Sequence, residues 1–195
     1  GRVSPTTADA VVEEMGPDVD LVLDGGPCRV GIESTIVDCT VDPPVIVRLG
    51  GVPRDRIEDV LRESIAVHDR GEVAAPGTLP AHYAPRAQVV LVERAEAVAR
   101  SEALRRPGRR IGILAAGAMP FGIDEDRVRV LEPPTDDVEY AHVLYARLRE
   151  ADALELDVLL VVPPEGDAPG GLAAAVRDRL ERAAAGSAER SDDER

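Results

Sequence analysis

The sequence predicts an α/β fold in two parts joined by a Pro-rich segment. Apolar stretches of strand length alternate with stretches of helical periodicity along most of the 195 residues, the pattern of parallel sheets covered by helices. Residues 157–162 are apolar almost throughout, as a strand buried on both faces requires. Residues 75–85 contain three prolines and cannot continue a helix or a central strand, so they separate the two parts.

The first part consists of short elements between turns that contain glycine or proline. In chain order they are a helix at 8–15 capped by Thr6 or Thr7 and closed by Gly16, a strand at 19–23, a strand at 44–49 that ends near Arg48, and a helix at 53–61 with Pro53 in its first turn. The stretch 30–38, which contains Ser34, runs from a flexible glycine into β-branched residues.

The second part predicts a small Rossmann-like, parallel-sheet domain. Its elements are strands at 88–92, 110–114, 128–131 and 157–162, helices at 95–105 and 136–151, and a last helix from 170 to 184. Asp136 can cap the helix at 136–151, with Glu139 three residues on. The apolar stripe of that helix is predicted to be Val138, Ala141, Leu144, Tyr145 and Leu148. Residues 186–195 are expected to be a disordered polar tail.

Composition narrows the function classes. A formal net charge of -14 disfavours tight direct binding of nucleic acid. Cys28 and Cys39 form no disulfide framework and no metal-ligand pattern, and we expect both to be small core residues in a reducing compartment. His68 and His142 are expected at the surface or at an interface. No apolar run reaches membrane-spanning length, no signal peptide is visible, and a cytoplasmic location is expected.

Three polar residues of the first part lie beside glycine or proline turns at the ends of elements. Ser4, Ser34 and Arg48 could present hydroxyls and a guanidinium fork to phosphate or carboxylate groups. Spacing alone favours the plainer interpretation, in which they are turn residues and a solvated strand end. A hydrolase triad of Ser34 with His82 and Asp38 is conceivable, but the nucleophile-elbow motif is absent, as is a P-loop.

Several motifs together resemble a known family. Ser4-Pro-Thr-Thr-Ala8, Leu23-Asp-Gly-Gly-Pro-Cys28, Gly31-Ile-Glu-Ser-Thr-Ile-Val-Asp38 and Val47-Arg-Leu-Gly50 resemble the second half of a YrdC-like domain. The Pro-rich segment, with its His82-Tyr-Ala-Pro85, resembles the linker of the two-domain L-threonylcarbamoyladenylate synthases, and the rest resembles their C-terminal domain. The resemblance implies a partial YrdC-like catalytic domain at 1–64, a linker or lid at 65–87, a Rossmann-like domain at 88–185, and the tail at 186–195.

This family joins L-threonine, bicarbonate and ATP to give threonylcarbamoyl-AMP and pyrophosphate, and the product passes to the complex that makes threonylcarbamoyladenosine in tRNA. The resemblance implies a nucleotidyltransferase without a covalent nucleophile, in which positioning and charge stabilisation carry catalysis. By the same resemblance, Ser4, Arg48 and Tyr83 contact ATP, and Ser34 holds threonine. Mg²⁺ would accompany ATP, held by phosphate oxygens and water.

The Pro-rich segment has two interpretations. Its composition favours a stiff spacer. The motifs on both sides favour a lid that carries Tyr83 to the nucleotide.

The chain also departs from the family pattern. The family's N-terminal half, with its Lys-x-Arg motif, is missing and the chain begins with glycine, so we expect a truncated chain that by itself is inactive or nearly so. Leu49 stands where a proline is usual. Two alternatives stay open: a carbamoyl-transfer module of the hydrogenase-maturation type, which should lack the linker and C-terminal domain, and a non-catalytic nucleotide- or RNA-binding regulatory module.

Overall fold

The chain forms two sheets and five α-helices in the part that the computed structural model describes, residues 2–68, 82–119, 121–166 and 169–193. The helices are α1 (Ala8–Met15), α2 (Arg54–Leu61), α3 (Ala97–Ala103), α4 (Asp137–Ala153) and α5 (Leu172–Asp193). The strands are β1 (Ile36–Asp38), β2 (Val45–Arg48), β3 (Ala66–Val67), β4 (Gln88–Leu91), β5 (Ile111–Ala115), β6 (Val128–Val130) and β7 (Val158–Val162). Short 3₁₀ turns span Gly16–Asp18 and Arg94–Glu96.

The second part contains the predicted parallel sheet, which confirms the α/β fold class. Its four strands lie in the order β4-β7-β5-β6, and every adjacent pair is parallel. Alternate residues of β7 face opposite sides, as strand geometry requires. Leu159 and Val161 pack with α4 and α5, whereas Val158 and Leu160 pack on the side of α3. Helices therefore cover both faces.

The first part has a smaller sheet, ordered β1-β2-β3, in which β1 and β2 are antiparallel and β2 and β3 are parallel. The strand predicted at 19–23 is wrong. That segment has no regular structure, and Leu21 and Leu23 are 74% and 86% exposed. The alternation of apolar and polar residues at 19–23 is typical of a strand, but no strand among the described residues pairs with this segment. An unpaired strand is not stable in water.

The predicted caps of two helices are confirmed. Thr7 accepts a hydrogen bond from the amide of Ala10 at the start of α1, and Asp136 accepts one from the amide of Glu139 at the start of α4. The apolar stripe of α4 needs one correction. Val138 is 65% exposed, and the buried ring of Tyr140, whose hydroxyl donates to the carbonyl oxygen of Val162, takes its place.

The disordered tail predicted at 186–195 is wrong as far as Asp193, because α5 continues through Gly186. Alanine, arginine and glutamate, all good helix formers, dominate residues 181–185, from which the helix runs on. The hydroxyl of Ser187 is also buried, where it accepts a hydrogen bond from the amide of Val89 at 3.0 Å. That contact ties the end of α5 to β4.

Both cysteines lie elsewhere than predicted. Cys28 and Cys39 are exposed, free thiols rather than core residues. Cys28 belongs to the loop that follows Gly25 and Gly26, and Cys39 follows directly after β1 at the edge of the small sheet. Neither position is covered by another described element.

The two parts share one hydrophobic core. Val3 and Ile32 of the first part and Tyr83 of the linker are buried in the same cluster as Leu144 of α4 and Leu180 of α5. The first part therefore packs directly on the helical face of the Rossmann-like domain.

Candidate functional site

The loop at 31–35 lies directly on α4. Gly31 has φ +85°, and a Cβ built on it would lie 2.1 Å from the carbonyl oxygen of His142, so only glycine fits this approach. The ring of His142 makes a further hydrogen bond of 3.0 Å to the carbonyl oxygen of Arg29. His142 is thus one of the interface residues that the sequence predicts.

Glu33 is the centre of a polar cluster beneath that loop. Its carboxylate accepts hydrogen bonds from the hydroxyl of Ser4 at 2.9 Å and from the hydroxyl of Tyr145 at 2.8 and 2.9 Å. Nε of Arg179 donates to the same carboxylate at 3.2 Å. Burial raises the pKa of Glu33, but the charge of Arg179 and the hydrogen bonds from Tyr145 and Ser4 outweigh it, and the pKa lies below its ordinary value.

Ser34 points away from this cluster to the solvent-exposed side of the loop. The guanidinium of Arg48, at the end of β2, donates to the Ser34 carbonyl oxygen from Nε at 3.1 Å and from Nη2 at 2.8 Å. Nη2 also lies 3.3 Å from the Ser34 hydroxyl. An exposed hydroxyl beside a guanidinium is a suitable receptor for carboxylate or phosphate oxygens.

The turn after β2 also makes hydrogen bonds to the loop at 31–35. The amide of Gly51 donates to the Glu33 carbonyl oxygen at 2.9 Å, and the hydroxyl of Thr35 donates to the Val52 carbonyl oxygen at 2.6 Å. A Cβ on Gly50 would meet the loop backbone at 2.3 Å from the Glu33 carbonyl oxygen. The backbone of residues 33–35 is therefore fixed on two sides.

Tyr83 lies in the same cluster but inside it. Its ring is 1% exposed, with its centroid 5.3 Å from that of Tyr145 and 5.9 Å from the guanidinium carbon of Arg179, a cation–π distance. Its backbone has φ +60°, an uncommon conformation for a residue other than glycine. Burial first, and then the charge of Glu33, raise the pKa of Tyr83. Residues 69–81 of the linker or lid predicted at 65–87 lie outside the described residues.

The structure thus brings the four candidate residues together. Ser4 bonds to the side chain of Glu33, the residue before Ser34, while Arg48 bonds to Ser34 on the exposed side of the loop. Tyr83 packs on the residues that hold Glu33. The hydrolase alternative has no support from hydrogen bonding among the described residues, because Nδ1 of His82 is buried without a partner there.

Three members of this cluster were missed by sequence reasoning: Glu33, Tyr145 and Arg179. Tyr145 was assigned only to an apolar stripe. Arg179 carried the clearest signal, because it lies on α5 among the buried residues Ala175, Val176, Leu180 and Ala183. A charged residue on an apolar helical face requires a buried partner.

Two kinds of feature are absent from the described part of the chain. No helix there is long and apolar enough to cross a membrane. No group of three His, Cys, Asp or Glu side chains there could hold a metal ion.

A Rossmann-like domain joined through a shared core to a loop that presents a hydroxyl and a guanidinium defines an α/β protein whose exposed polar groups have the chemistry that suits carboxylate or phosphate oxygens. Comparison with known families narrows this class. Residues 52–185 match the family model described as "Threonylcarbamoyl-AMP synthase, C-terminal domain", and residues 1–50 match the one described as "Telomere recombination", which groups the Sua5, YciO and YrdC proteins. The chain belongs to the threonylcarbamoyl-AMP synthase family.

Individual relatives support the same family assignment. Threonylcarbamoyl-AMP synthase of Pyrococcus abyssi is 35% identical, with 94% of this chain and 54% of the relative aligned. The enzyme of Bacillus subtilis is 29% identical over 95% of this chain and 55% of its own length. That of Schizosaccharomyces pombe is 30% identical over 94% and 49%. The chain spans about half the length of these relatives.

Two solved structures are similar throughout the chain. The crystal structure of P. abyssi Sua5 complexed with L-threonine has a TM-score of 0.74 and 33% identity, covering 96% of this chain and 56% of that one. A variant of the same protein, in which a neighbouring His and Tyr are replaced by alanine, has a TM-score of 0.74 and 30% identity, covering 95% and 54%. The expected family is confirmed.

Proposed function

We propose that this chain is the part of an L-threonylcarbamoyladenylate synthase that binds threonine and the phosphates of ATP. The observation that supports this most directly is the exposed hydroxyl of Ser34 beside the guanidinium of Arg48, in a chain similar to a protein solved with L-threonine. Ser34 would bind the threonine carboxylate or hydroxyl. Ser4 and Arg48 would bind ATP. The product would pass to the tRNA-modifying complex, in the cytoplasm.

The reaction needs orientation more than it needs a reactive side chain. The threonine amine combines with bicarbonate to give a carbamate and water. One carbamate oxygen then forms a bond to the α-phosphorus of ATP, the bond from that phosphorus to the bridging oxygen breaks, and pyrophosphate leaves. Mg²⁺ would arrive with ATP, held by phosphate oxygens and water. The residues named here would position the carboxylate and the phosphates and offset developing charge.

The first prediction concerns turnover. We expect the chain extended by the N-terminal half found in its relatives to release pyrophosphate from ATP in the presence of L-threonine, bicarbonate and Mg²⁺. The 195-residue chain alone should release almost none, because the Lys-x-Arg motif that the family resemblance assigns to the ATP phosphates belongs to that N-terminal half. The measurement is a coupled pyrophosphate assay, with L-threonine omitted as the control. An inactive extended protein rejects the proposed function, and robust turnover by the chain alone rejects the need for the missing half.

The second prediction concerns Tyr83, which we propose as a wall of the ATP site. In the extended protein we expect Tyr83→Phe to raise KM for ATP several-fold, because the ring keeps its packing on Tyr145 and Arg179 while the hydroxyl is lost. Tyr140→Phe is the matched control, since it removes another buried hydroxyl, which donates to the carbonyl oxygen of Val162 at 3.2 Å. Equal KM values for ATP in the two variants and the unmodified protein remove Tyr83 from the proposed site.

A further inference from the structure

The Rossmann-like domain contributes two side chains to the polar cluster around Glu33, beneath the loop at 31–35. Tyr145 comes from α4 and Arg179 from α5, and both bond to the carboxylate of Glu33. The residues joined by these bonds are 112 and 146 positions apart in sequence. Glu33 is therefore held from the second part of the chain, although it belongs to the first.

The burial of Arg179 is costly for stability. Its side chain is fully buried, its Nη1 bonds to Asp178 at 3.1 Å, and its Nη2 has no hydrogen-bond partner among the described residues. Apolar residues often fill such a site with equal or greater stability. An ion pair at this position therefore supports a role in fixing the geometry of the group that it holds.

The group held is adjacent to the proposed threonine site. The Glu33 carboxylate accepts from Ser4, and the next residue is Ser34, whose carbonyl oxygen and hydroxyl face Arg48. Rotation of the Glu33 side chain would release Ser4 directly and would remove the side-chain anchor of the residue before Ser34. The path from α4 and α5 to Ser4 thus consists of hydrogen bonds no longer than 3.2 Å, and it reaches Ser34 through the peptide bond from Glu33.

We propose that Tyr145 and Arg179 are positioning residues for the amino-acid site, so that the C-terminal domain sets the affinity for L-threonine through Glu33. This inference rests on the proposed function and assigns the C-terminal domain a part in substrate binding. Neither residue needs to touch the substrate. Anything that shifts α4 or α5 relative to the loop at 31–35 changes threonine affinity by the same route.

The third prediction tests this role with conservative variants of the extended protein. We expect Tyr145→Phe and Arg179→Lys each to raise KM for L-threonine about tenfold, the equivalent of about 1.4 kcal/mol, with kcat at saturation within about twofold of the unmodified protein. Calorimetric titration with L-threonine should give the same change in Kd. A purely structural role would instead lower kcat through loss of folded protein and leave KM unchanged.

The matched controls lie on the same two helices and do not contact Glu33. Tyr140→Phe removes a buried hydroxyl from α4, and Arg177→Lys weakens bonds from α5 to the carbonyl oxygens of Pro164 and Gly166. Both should keep the KM of the unmodified protein. If the Arg179→Lys variant does not fold, the KM of the Tyr145→Phe variant for L-threonine alone tests the inference. Normal KM values in both test variants overturn this inference while the proposed function stands. Absence of threonine binding by the unmodified protein rejects the proposed function itself, and the inference with it.

Discussion

Gly31→Ala is expected to detach the loop at 31–35 from the C-terminal domain and to lower the free energy of unfolding of the 195-residue chain by about 4 kcal/mol or more, the range of severe single substitutions. A Cβ at this position would lie 2.1 Å from the carbonyl oxygen of His142 and 2.5 Å from that of Ala141. These oxygens belong to α4, which packs in the shared core, so the loop rather than the helix would have to move. Urea denaturation measures the loss.

Gly26→Ala is the control that separates backbone strain from overlap. Gly26 has φ +84°, nearly the same as the +85° of Gly31, but a Cβ on Gly26 would meet nothing within 4 Å. We expect it to cost only the about 1–2 kcal/mol of a left-handed conformation. Equal losses in the two variants would show that strain alone explains Gly31, and that the approach to α4 does not.

The elements that local chemistry determines could be predicted from the sequence. The caps Thr7 and Asp136 and the apolar run of β7 need no knowledge of distant residues, and all three are confirmed. The prediction of a strand at 19–23 was wrong because a strand is stable only when it pairs with another strand. The predicted end of the last helix was wrong because Ser187 is buried against β4, and such a tertiary contact cannot be read from the local sequence.

The candidate site divides in the same way. Glycine and proline turns made Ser34 and Arg48 candidates, but spacing alone favoured turn residues and a solvated strand end, and only the family resemblance gave them ligand roles. The structure joins the two residues by hydrogen bonds. Glu33 and Arg179 form a pair across 146 positions, and no local pattern selects that partner. In the sequence, Arg179 is only a charged residue among apolar residues of a helix, so the structure was needed to identify Glu33 as its partner.

Arg179→Met is expected to destabilise the 195-residue chain by about 3 kcal/mol, the lower end of the range for breaking a buried ion pair. The lower end applies because the Glu33 side chain keeps 21% of its exposure, whereas that of Arg179 keeps 0%. The cost arises from the Glu33 carboxylate, which loses its cation but stays partly buried. Adding Glu33→Gln removes that charge, so the double variant should recover most of the loss. Urea denaturation of the four proteins gives the coupling energy, expected to reach about 3 kcal/mol, the upper end for residues in contact, because each single variant leaves the other charge without this partner.

Acid unfolding provides an independent measure of the same pair. The pKa of Glu33 is lowered from 4.5 in the folded chain, so the unfolded chain binds more protons and the contribution of this group is present above about pH 4.5. It is lost as the pH falls through the folded pKa. Glu33→Gln should therefore show a weaker fall in stability below pH 4.5 than the unmodified chain. Identical acid profiles, or additive effects in the double variant, would mean that Arg179 and Glu33 do not act as a pair, and the route from the C-terminal helices to Ser34 would then lack its central link.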